Sequence, residues 1–148
     1  MQSGEMLGRR SLQISFGVYT ALLLVLTLGS FRQRLPGSQA DNGVLSLQSW
    51  LSRETWSTGW SVEFFANVAV FVLWGALAAA VVGRRFWCLA ALGGGALSLV
   101  IEVLQISTAR ISDPRDLVAN ALGTVIGVTF MLLITTPMRG NAREQSAG

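Results

Sequence analysis

A group of acidic, amide and guanidinium side chains lies within a short stretch of an otherwise apolar sequence. They are Glu102, Gln105, Arg110, Asp113, Asp116 and Asn120. Carboxylates can act as general bases or bind cations, an arginine can bind an anion, and amides add both donors and acceptors of hydrogen bonds. Because the chain has no histidine and a single cysteine, the commonest zinc ligands are missing or scarce, and we predict no metal site and no cofactor.

Apolar runs on both sides of these residues predict the helices that must position them. The chain is 51% hydrophobic and 13% charged, with a mean hydropathy of +0.52, which is typical of a membrane protein. We predict an all-α integral membrane bundle that forms a single domain over residues 1–148. Its parts are transmembrane helices at 12–31, 62–82, 86–107 and 113–136, a long Trp-containing outer loop at 32–61, and a cytoplasmic tail at 137–148.

The arginines indicate how this bundle is oriented. Those beside the apolar runs and away from the polar group are Arg9, Arg10, Arg84, Arg85, Arg139 and Arg143. By the positive-inside rule they place both termini in the cytoplasm, in a protein that crosses the cytoplasmic membrane several times. The net charge of +3 comes from arginines in these topological positions, so we expect membrane lipids and no nucleic acid as partners.

The outer loop carries its own helical pattern. Val44, Leu47, Trp50 and Leu51 recur at helical spacing, and tryptophans of this kind rest at the boundary between lipid headgroups and water. One interpretation is a surface segment that covers a site in the membrane. The other is ordinary anchoring at the interface, which the sequence favours.

Polar and small residues also recur at helical spacing on the three later helices. The three stripes are Glu63, Asn67, Phe71 and Gly75; Gly95, Ser98, Glu102 and Gln105; and Asp116, Asn120, Gly123 and Gly127. Each stripe has polar residues at its outer end and small residues deeper in the bundle. We therefore predict tight helix packing at Gly75, Gly95, Gly123 and Gly127, and a polar pocket at the outer end. We expect Glu102 to pair with Arg110 in this pocket, because an unpaired carboxylate in the apolar layer is costly.

Structural roles could also account for several of these residues. Asp113 followed by Pro114 is typical of a helix N-cap, and Asp116 then lies in the first turn near the positive end of the helix dipole. Asn67 and Asn120 could form hydrogen bonds between helices without any ligand. The glycine stripes are compatible with packing inside one chain or in a homo-oligomer.

The series E-x2-Q-x4-R-x2-D-x2-D-x3-N-x2-G-x3-G, from Glu102 to Gly127, resembles the VanZ-like family of small bacterial membrane proteins. The series Asn67-x3-Phe71-x3-Gly75 is similar to the second-helix motif of that family, which usually has a proline where this chain has Leu73. The family is named for a protein linked to low-level resistance to the glycopeptide teicoplanin. The resemblance therefore implies a role at the outer face of the cytoplasmic membrane, in the cell envelope or in glycopeptide resistance.

Three functions follow from these observations. The first, which we favour, is a non-enzymatic protein whose pocket of Asn67, Glu102, Gln105, Arg110, Asp113, Asp116 and Asn120 binds an amphiphilic or lipid-linked envelope ligand. The second is a membrane enzyme acting on a lipid-linked substrate, with Glu102 or Asp116 as general base and Arg110 stabilising an anionic transition state. The third is a purely structural role in membrane assembly. No nucleophile elbow or phosphate loop accompanies the carboxylates, and this disfavours the enzyme.

Overall fold

The computed structural model describes residues 2–28, 43–57, 62–106 and 112–136, and within these ranges the protein consists of helices joined by short turns. The helices are α1 (Gln2–Leu28), α2 (Leu47–Leu51), α3 (Arg53–Ser57), α4 (Val62–Val82), α5 (Trp87–Ile106) and α6 (Pro114–Ile134). Short 3₁₀ turns at Gly43–Leu45 and Arg84–Phe86 precede α2 and α5. No strand occurs in the described ranges.

Four of these helices are long and apolar enough to cross a membrane. The candidate spans are Met6–Leu28, Val62–Val82, Arg84–Ile106 and Pro114–Ile134. At a rise of about 1.5 Å per residue, even the shorter ones reach the roughly 30 Å of the hydrocarbon layer. The prediction of an all-α bundle with four transmembrane helices is therefore confirmed, whereas the orientation of its termini remains a prediction.

The first helix begins earlier than the sequence predicts. Hydropathy places its start at residue 12, whereas the helix itself starts at Gln2. Hydropathy marks where the apolar layer begins, but residues such as Gln, Arg and Ser do not break a helix that continues beyond that layer. The hydroxyl of Ser11, for instance, donates to the carbonyl of Leu7 one turn earlier, at 3.0 Å. The predicted end at residue 31 and the tail at 137–148 lie outside the described residues.

Helices α4 and α6 run parallel and approach so closely that their backbones touch. Gly123 on α6 lies against the carbonyl of Val68, and Gly127 lies against the carbonyl of Val72. Both partners advance by four residues in the same direction, so the two helices are parallel here. A side-chain carbon at either glycine would overlap the backbone of α4. The glycine stripe of α6 therefore packs inside one chain.

The contacts of the other small residues correct one prediction. Gly75 on α4 lies against the backbone of Thr124, and Gly94 on α5 lies against the side chain of the same threonine. Gly95, predicted as the packing glycine of α5, has open space where a Cβ would stand. Successive residues of a helix differ by about 100° in direction, so only one of the two adjacent glycines can face α6. That glycine is Gly94.

Helix α1 packs against the flank of α4 through aromatic contacts. The rings of Phe16 and Trp74 lie 5.3 Å apart, and the indole N–H of Trp74 donates to the hydroxyl of Thr20 at 3.0 Å. The Tyr19 hydroxyl donates to the carbonyl of Val70 at 2.9 Å. These bonds satisfy polar groups that would otherwise be exposed to the apolar layer.

The two ends of the bundle differ in character. The loop end is where α1 and α5 finish and α4 and α6 start, near Leu28, Ile106, Val62 and Pro114. The arginine end is the opposite one, where Gly83 turns the chain with a φ of 79° that suits glycine. There the Arg84 guanidinium donates to the hydroxyl of Thr136 at 2.7 Å and so joins the α4–α5 turn to the end of α6.

Candidate functional site

A cavity of about 170 Å³ lies at the loop end, among the four long helices. Its polar lining consists of Thr27, Glu63, Asn67, Glu102, Gln105, Asp116 and Asn120. Five of these residues belong to the pocket that the sequence predicts, and they come from α4, α5 and α6. Glu63 was recognised in the stripe of α4 but was not included among the predicted site residues. Whether these residues bind a ligand remains a prediction.

Glu102 connects α5 to the start of α6. Its side chain is 1% exposed, and its Oε2 accepts a hydrogen bond from the backbone N–H of Asp113 at 3.1 Å. The Ser112 side chain also hydrogen-bonds to this carboxylate. A carboxylate is favoured at a helix N-terminus because the free N–H groups and the helix dipole both attract negative charge. The predicted partner of Glu102, Arg110, lies outside the described residues.

Asp113 is the N-cap of α6 and does not line the cavity. Its carboxylate accepts from the backbone N–H of Arg115 at 2.9 Å, and Pro114 occupies the first turn. The guanidinium of Arg115 then holds the same carboxylate, with 2.6 Å between Nη2 and Oδ2. The capping interpretation of Asp113 is confirmed. Asp113 is not among the described lining residues, and Arg115 engages both of its oxygens, so a role for Asp113 in binding remains a prediction.

Asn120 links α6 to α5 at the floor of the cavity. Its side chain is 3% exposed, and its Nδ2 donates to the hydroxyl of Ser98 at 3.0 Å. The Thr124 hydroxyl donates to the backbone carbonyl of Asn120 at 2.9 Å. The Oδ1 atom of Asn120 is buried and has no hydrogen-bond partner among the described residues. Asn120 therefore joins α5 and α6.

The remaining walls are formed by α4 and α1. The Asn67 side chain hydrogen-bonds to the Asp116 carboxylate and so joins α4 to the first turn of α6. The Gln105 Nε2 donates to the backbone carbonyl of Thr27 at 3.1 Å and joins α5 to α1. The contact to Thr27 has no signal in the sequence, because a backbone carbonyl is present at every position.

The segment 43–57 is attached to the bundle beside Glu102. The backbone N–H of Val44 donates to the Ser112 hydroxyl at 3.2 Å, and this serine is the one that contacts Glu102. The indole N–H of Trp50 donates to the Val44 carbonyl at 2.8 Å, and that of Trp56 donates to the Trp50 carbonyl at 2.9 Å. Ser112 is a contact that the sequence analysis missed; its position directly before the N-cap was the available signal.

The same segment presents apolar side chains to its surroundings. Leu45, Leu47, Leu51 and Trp56 are all exposed. An exposed apolar face on short helices that lie at the end of a membrane bundle is typical of a segment resting at the membrane surface. Both interpretations of the outer loop, cover and anchor, remain open, and the contact between Val44 and Ser112 puts the segment next to the cavity.

The cavity is acidic and rich in hydrogen-bond acceptors. Glu63, Glu102 and Asp116 contribute three carboxyl groups, and no arginine or lysine is among its described lining residues. No group of three or more His, Cys, Asp or Glu residues in the described ranges has a geometry that could hold a metal ion. Arg115, which holds Asp113, also interacts electrostatically with Glu63 and Asp116.

Comparison with known proteins agrees with this architecture. Searches of curated proteins and of solved structures found no match. A comparison with protein families matched residues 16–135, well over half of the chain, to the family described as VanZ/LLP1. The matched region contains all four predicted spans except the first turns of α1, and every described residue that lines the cavity. The chain therefore belongs to the VanZ/LLP1 family of membrane proteins.

Proposed function

We propose that this protein acts at the outer face of the bacterial cytoplasmic membrane, where its cavity binds the headgroup of an amphiphilic envelope molecule. Through this binding it contributes to resistance against teicoplanin-type glycopeptides. The observation that carries the proposal is a polar cavity enclosed by four helices that are otherwise apolar. Polar and ionisable residues at such depth are expensive, which supports a functional reason for keeping them there.

The size of the cavity limits what it can hold. At about 30 Å³ per molecule of liquid water, 170 Å³ equals about five or six waters. Pockets for drug-sized ligands are larger, at roughly 300–1,000 Å³. The cavity therefore suits a headgroup and excludes an entire glycopeptide. An amphiphile could place its headgroup there while its chains remain in lipid beside the exposed apolar faces of the helices.

The distribution of arginines supports the outer face as the place of action. Arg9 and Arg10 near the start of α1 belong to the same end of the bundle as Arg84 and Arg85. By the positive-inside rule this end is cytoplasmic, and the loop end with the cavity is then outside. Glycopeptides bind cell-wall precursors outside the membrane, so the proposed site and the proposed role share one location.

An enzymatic function is the second candidate, since Glu102 and Asp116 line the same cavity. A general base needs a substrate whose developing charge is stabilised by some other group. The cation predicted for that purpose, Arg110, lies outside the described residues, and Glu102 is already engaged by the N-terminus of α6. These observations favour binding over catalysis. A purely structural role predicts that loss of a cavity carboxylate has no effect on function when the protein level is unchanged.

The test is drug susceptibility of a cell-wall-bearing bacterial host that expresses the full chain. We expect expression to raise the minimal inhibitory concentration of teicoplanin, with little change for vancomycin, which lacks the lipid chain. Asp116→Asn and Glu102→Gln, each preserving size and a side-chain oxygen acceptor, should remove the protection at equal membrane abundance.

Asp113→Asn is the matched control. It makes the same chemical change outside the cavity and retains a residue that caps helices well. Protection that persists in the Asp116 and Glu102 variants would reject a role for the cavity. Absence of any protection by the unaltered chain, at verified membrane abundance, would reject the resistance role in that host.

A further inference from the structure

We propose that the arginine end of the bundle binds anionic phospholipids through the phosphate groups of their headgroups. The binding surface consists of Arg9 and Arg10 on α1 and of Arg85, Phe86 and Trp87 at the turn into α5. This inference is independent of the proposed function, because it concerns the end of the bundle opposite the cavity.

The arginines of α1 and those of the turn into α5 lie at one level along the bundle. The rings of Phe16 and Trp74 are in contact, and α1 and α4 run in opposite directions from this point. The helix segment from Phe16 back to Arg9 and the segment from Trp74 on to Val81 are equally long, about 10 Å each. Arg9 and Arg10 therefore lie level with the last turn of α4, directly before the turn that carries the second pair.

This end of the bundle carries an excess of positive charge. The carboxylates whose side chains the structure describes all belong to the loop end; they are Glu63, Glu102, Asp113 and Asp116. In the sequence, the flanks of the spans at the arginine end, residues 1–11, 83–88 and 137–148, hold six arginines and two glutamates. Positive charge therefore exceeds negative charge here, even when residues outside the described ranges are counted, and such a surface attracts anions.

The two arginines of the turn have different contacts. The Arg84 guanidinium donates to the Thr136 hydroxyl and to the Leu132 carbonyl, so this side chain holds the helices together. Arg85 is exposed, and its guanidinium lies over the ring of Phe86, 5.7 Å from the ring centroid. A guanidinium that stacks through its face keeps its N–H groups at the edge, where two of them can donate to one phosphate. Arg85 is therefore the residue best placed to bind a headgroup.

The position of this turn favours a lipid as the partner. The candidate span of α4 ends at Val82 and the next one starts at Arg84, so Arg85 lies at the boundary of the apolar layer. Phe86 and Trp87 beside it are exposed, and aromatic rings at this level lie among lipid headgroups. A zwitterionic lipid balances its phosphate with its own ammonium, whereas an anionic lipid keeps a net charge for the arginines. A basic side chain near an anionic lipid surface strengthens association about fivefold.

The experiment measures which lipids surround the arginine end. The only cysteine of the chain, Cys88, is exposed and lies one turn after Arg85, so a fluorophore attached to it reports on this end. The labelled full-length protein is reconstituted in phosphatidylcholine vesicles that contain a small fraction of nitroxide-labelled phosphatidylglycerol or nitroxide-labelled phosphatidylcholine. We expect quenching to give about fivefold stronger association of phosphatidylglycerol at low salt. At about 0.5 M NaCl the ratio should fall towards one, because salt screens exposed charges.

Variants assign the preference to the arginines. Arg85→Gln should lower the ratio by at least half, and a triple variant that also carries Arg9→Gln and Arg10→Gln should bring it close to one. Arg53→Gln is the matched control, because Arg53 is an exposed arginine at the loop end, and its ratio should stay unchanged. All of these side chains are exposed, and thermal unfolding of each variant verifies that it is folded.

A second position of the fluorophore tests the difference between the two ends. In a variant with Leu47→Cys and Cys88→Ser the label lies at the loop end, where Leu47 is exposed. We expect no preference for phosphatidylglycerol there. Inorganic phosphate should not reduce the preference at Cys88 when compared with chloride at equal ionic strength, because the ligand is a lipid.

Equal quenching by the two lipids at Cys88 in low salt would overturn the proposal and would leave a soluble acidic partner as the better explanation of the charge. A preference that persists in the triple variant, or an equal preference at Leu47, would also overturn it. Loss of the preference in inorganic phosphate would show that the free ion is the ligand. None of these results bears on drug protection by the cavity, so the two proposals succeed or fail separately.

Discussion

Helices α4, α5 and α6 meet in two different ways along their length. In the glycine half, formed around Gly75, Gly94, Gly123 and Gly127, the helices contact one another backbone to backbone or through a single small side chain. In the polar half, formed around Asn67, Glu102, Asp116 and Asn120, longer polar side chains hold the helices together and enclose a cavity. The same three helices therefore provide a tight junction and a polar cavity.

The difference shows how a bundle of this size can hold an open polar site in lipid. Association of helices in a membrane depends on close packing and on hydrogen bonds, because lipid is as apolar as the helices themselves. The glycine half supplies the packing. The polar half can then hold a cavity without losing the alignment of the helices, since its side chains are tied across by Asn120 to Ser98 and by Asn67 to Asp116.

The largest expected effect on stability comes from adding a side chain at a glycine of the glycine half. Gly127→Ala would place a methyl group on the Val72 carbonyl and near the backbone nitrogen of Ala76, and neither can move without separating α4 from α6. We expect the free energy of unfolding to fall by about 3 kcal/mol, as for overpacked cores. The measurement is unfolding by dodecyl sulfate titration from mixed micelles.

Gly95→Ala is the matched control, since the same methyl group would enter open space. Its free energy of unfolding should stay the same or rise slightly. Equal losses of unfolding free energy in the two variants would contradict this packing, in which Gly127 contacts the backbone of α4 and Gly95 has open space.

A smaller effect is expected in the polar half. Glu102→Ala removes the acceptor of the Asp113 N–H and of the Ser112 side chain, both of which belong to buried residues. An unsatisfied buried donor costs about 2 kcal/mol, and we expect the free energy of unfolding to fall by that amount in the same titration. Glu102→Gln retains one oxygen acceptor and should lose less than half as much. If Gln proved as harmful as Ala, the charge of Glu102 and not its hydrogen bonds would be the main contribution.

The smallest effect is expected at the cap of α6. Asp113→Ala removes the acceptor of the Arg115 N–H and the ion pair with its guanidinium, which is partly exposed and so contributes little. Loss of an N-cap costs about 1 kcal/mol, whereas Asp113→Asn should cost only a few tenths because Asn caps well. Thermal unfolding of the two variants, compared with unaltered protein, checks this. Similar losses for Ala and Asn would mean that the ion pair outweighs the cap.

Much of the fold could be predicted from the sequence because it depends on local chemistry. Apolar runs of sufficient length predict helices that cross a membrane, and Asp113 followed by Pro114 predicts the start of α6. The repeat of polar and small residues at helical spacing predicted that Glu102, Gln105, Asp116, Asn120 and Asn67 would lie at one end. Each of these inferences needs only the properties of single residues and the period of a helix.

The sequence does not determine how each helix is rotated about its own axis relative to its neighbours, and the prediction about glycine packing failed for this reason. Gly94 and Gly95 are adjacent, so helical periodicity alone does not show which of them faces α6. The contact with the side chain of Thr124 shows that it is Gly94. Asp113 belongs to the polar series in sequence, and in the fold it is the N-cap of α6, with both oxygens held by Arg115.

The sequence by itself determined that this chain forms four apolar helices, where three of them change from small to polar residues, and which family it belongs to. Only the tertiary structure decided which side chains meet: Glu102 with the N-terminus of α6, Asn120 with Ser98, and Gly127 with the backbone of α4. The physical reason is that helix formation follows from neighbours in sequence, whereas the rotation and depth of each helix follow from packing and hydrogen bonds between residues far apart in the chain.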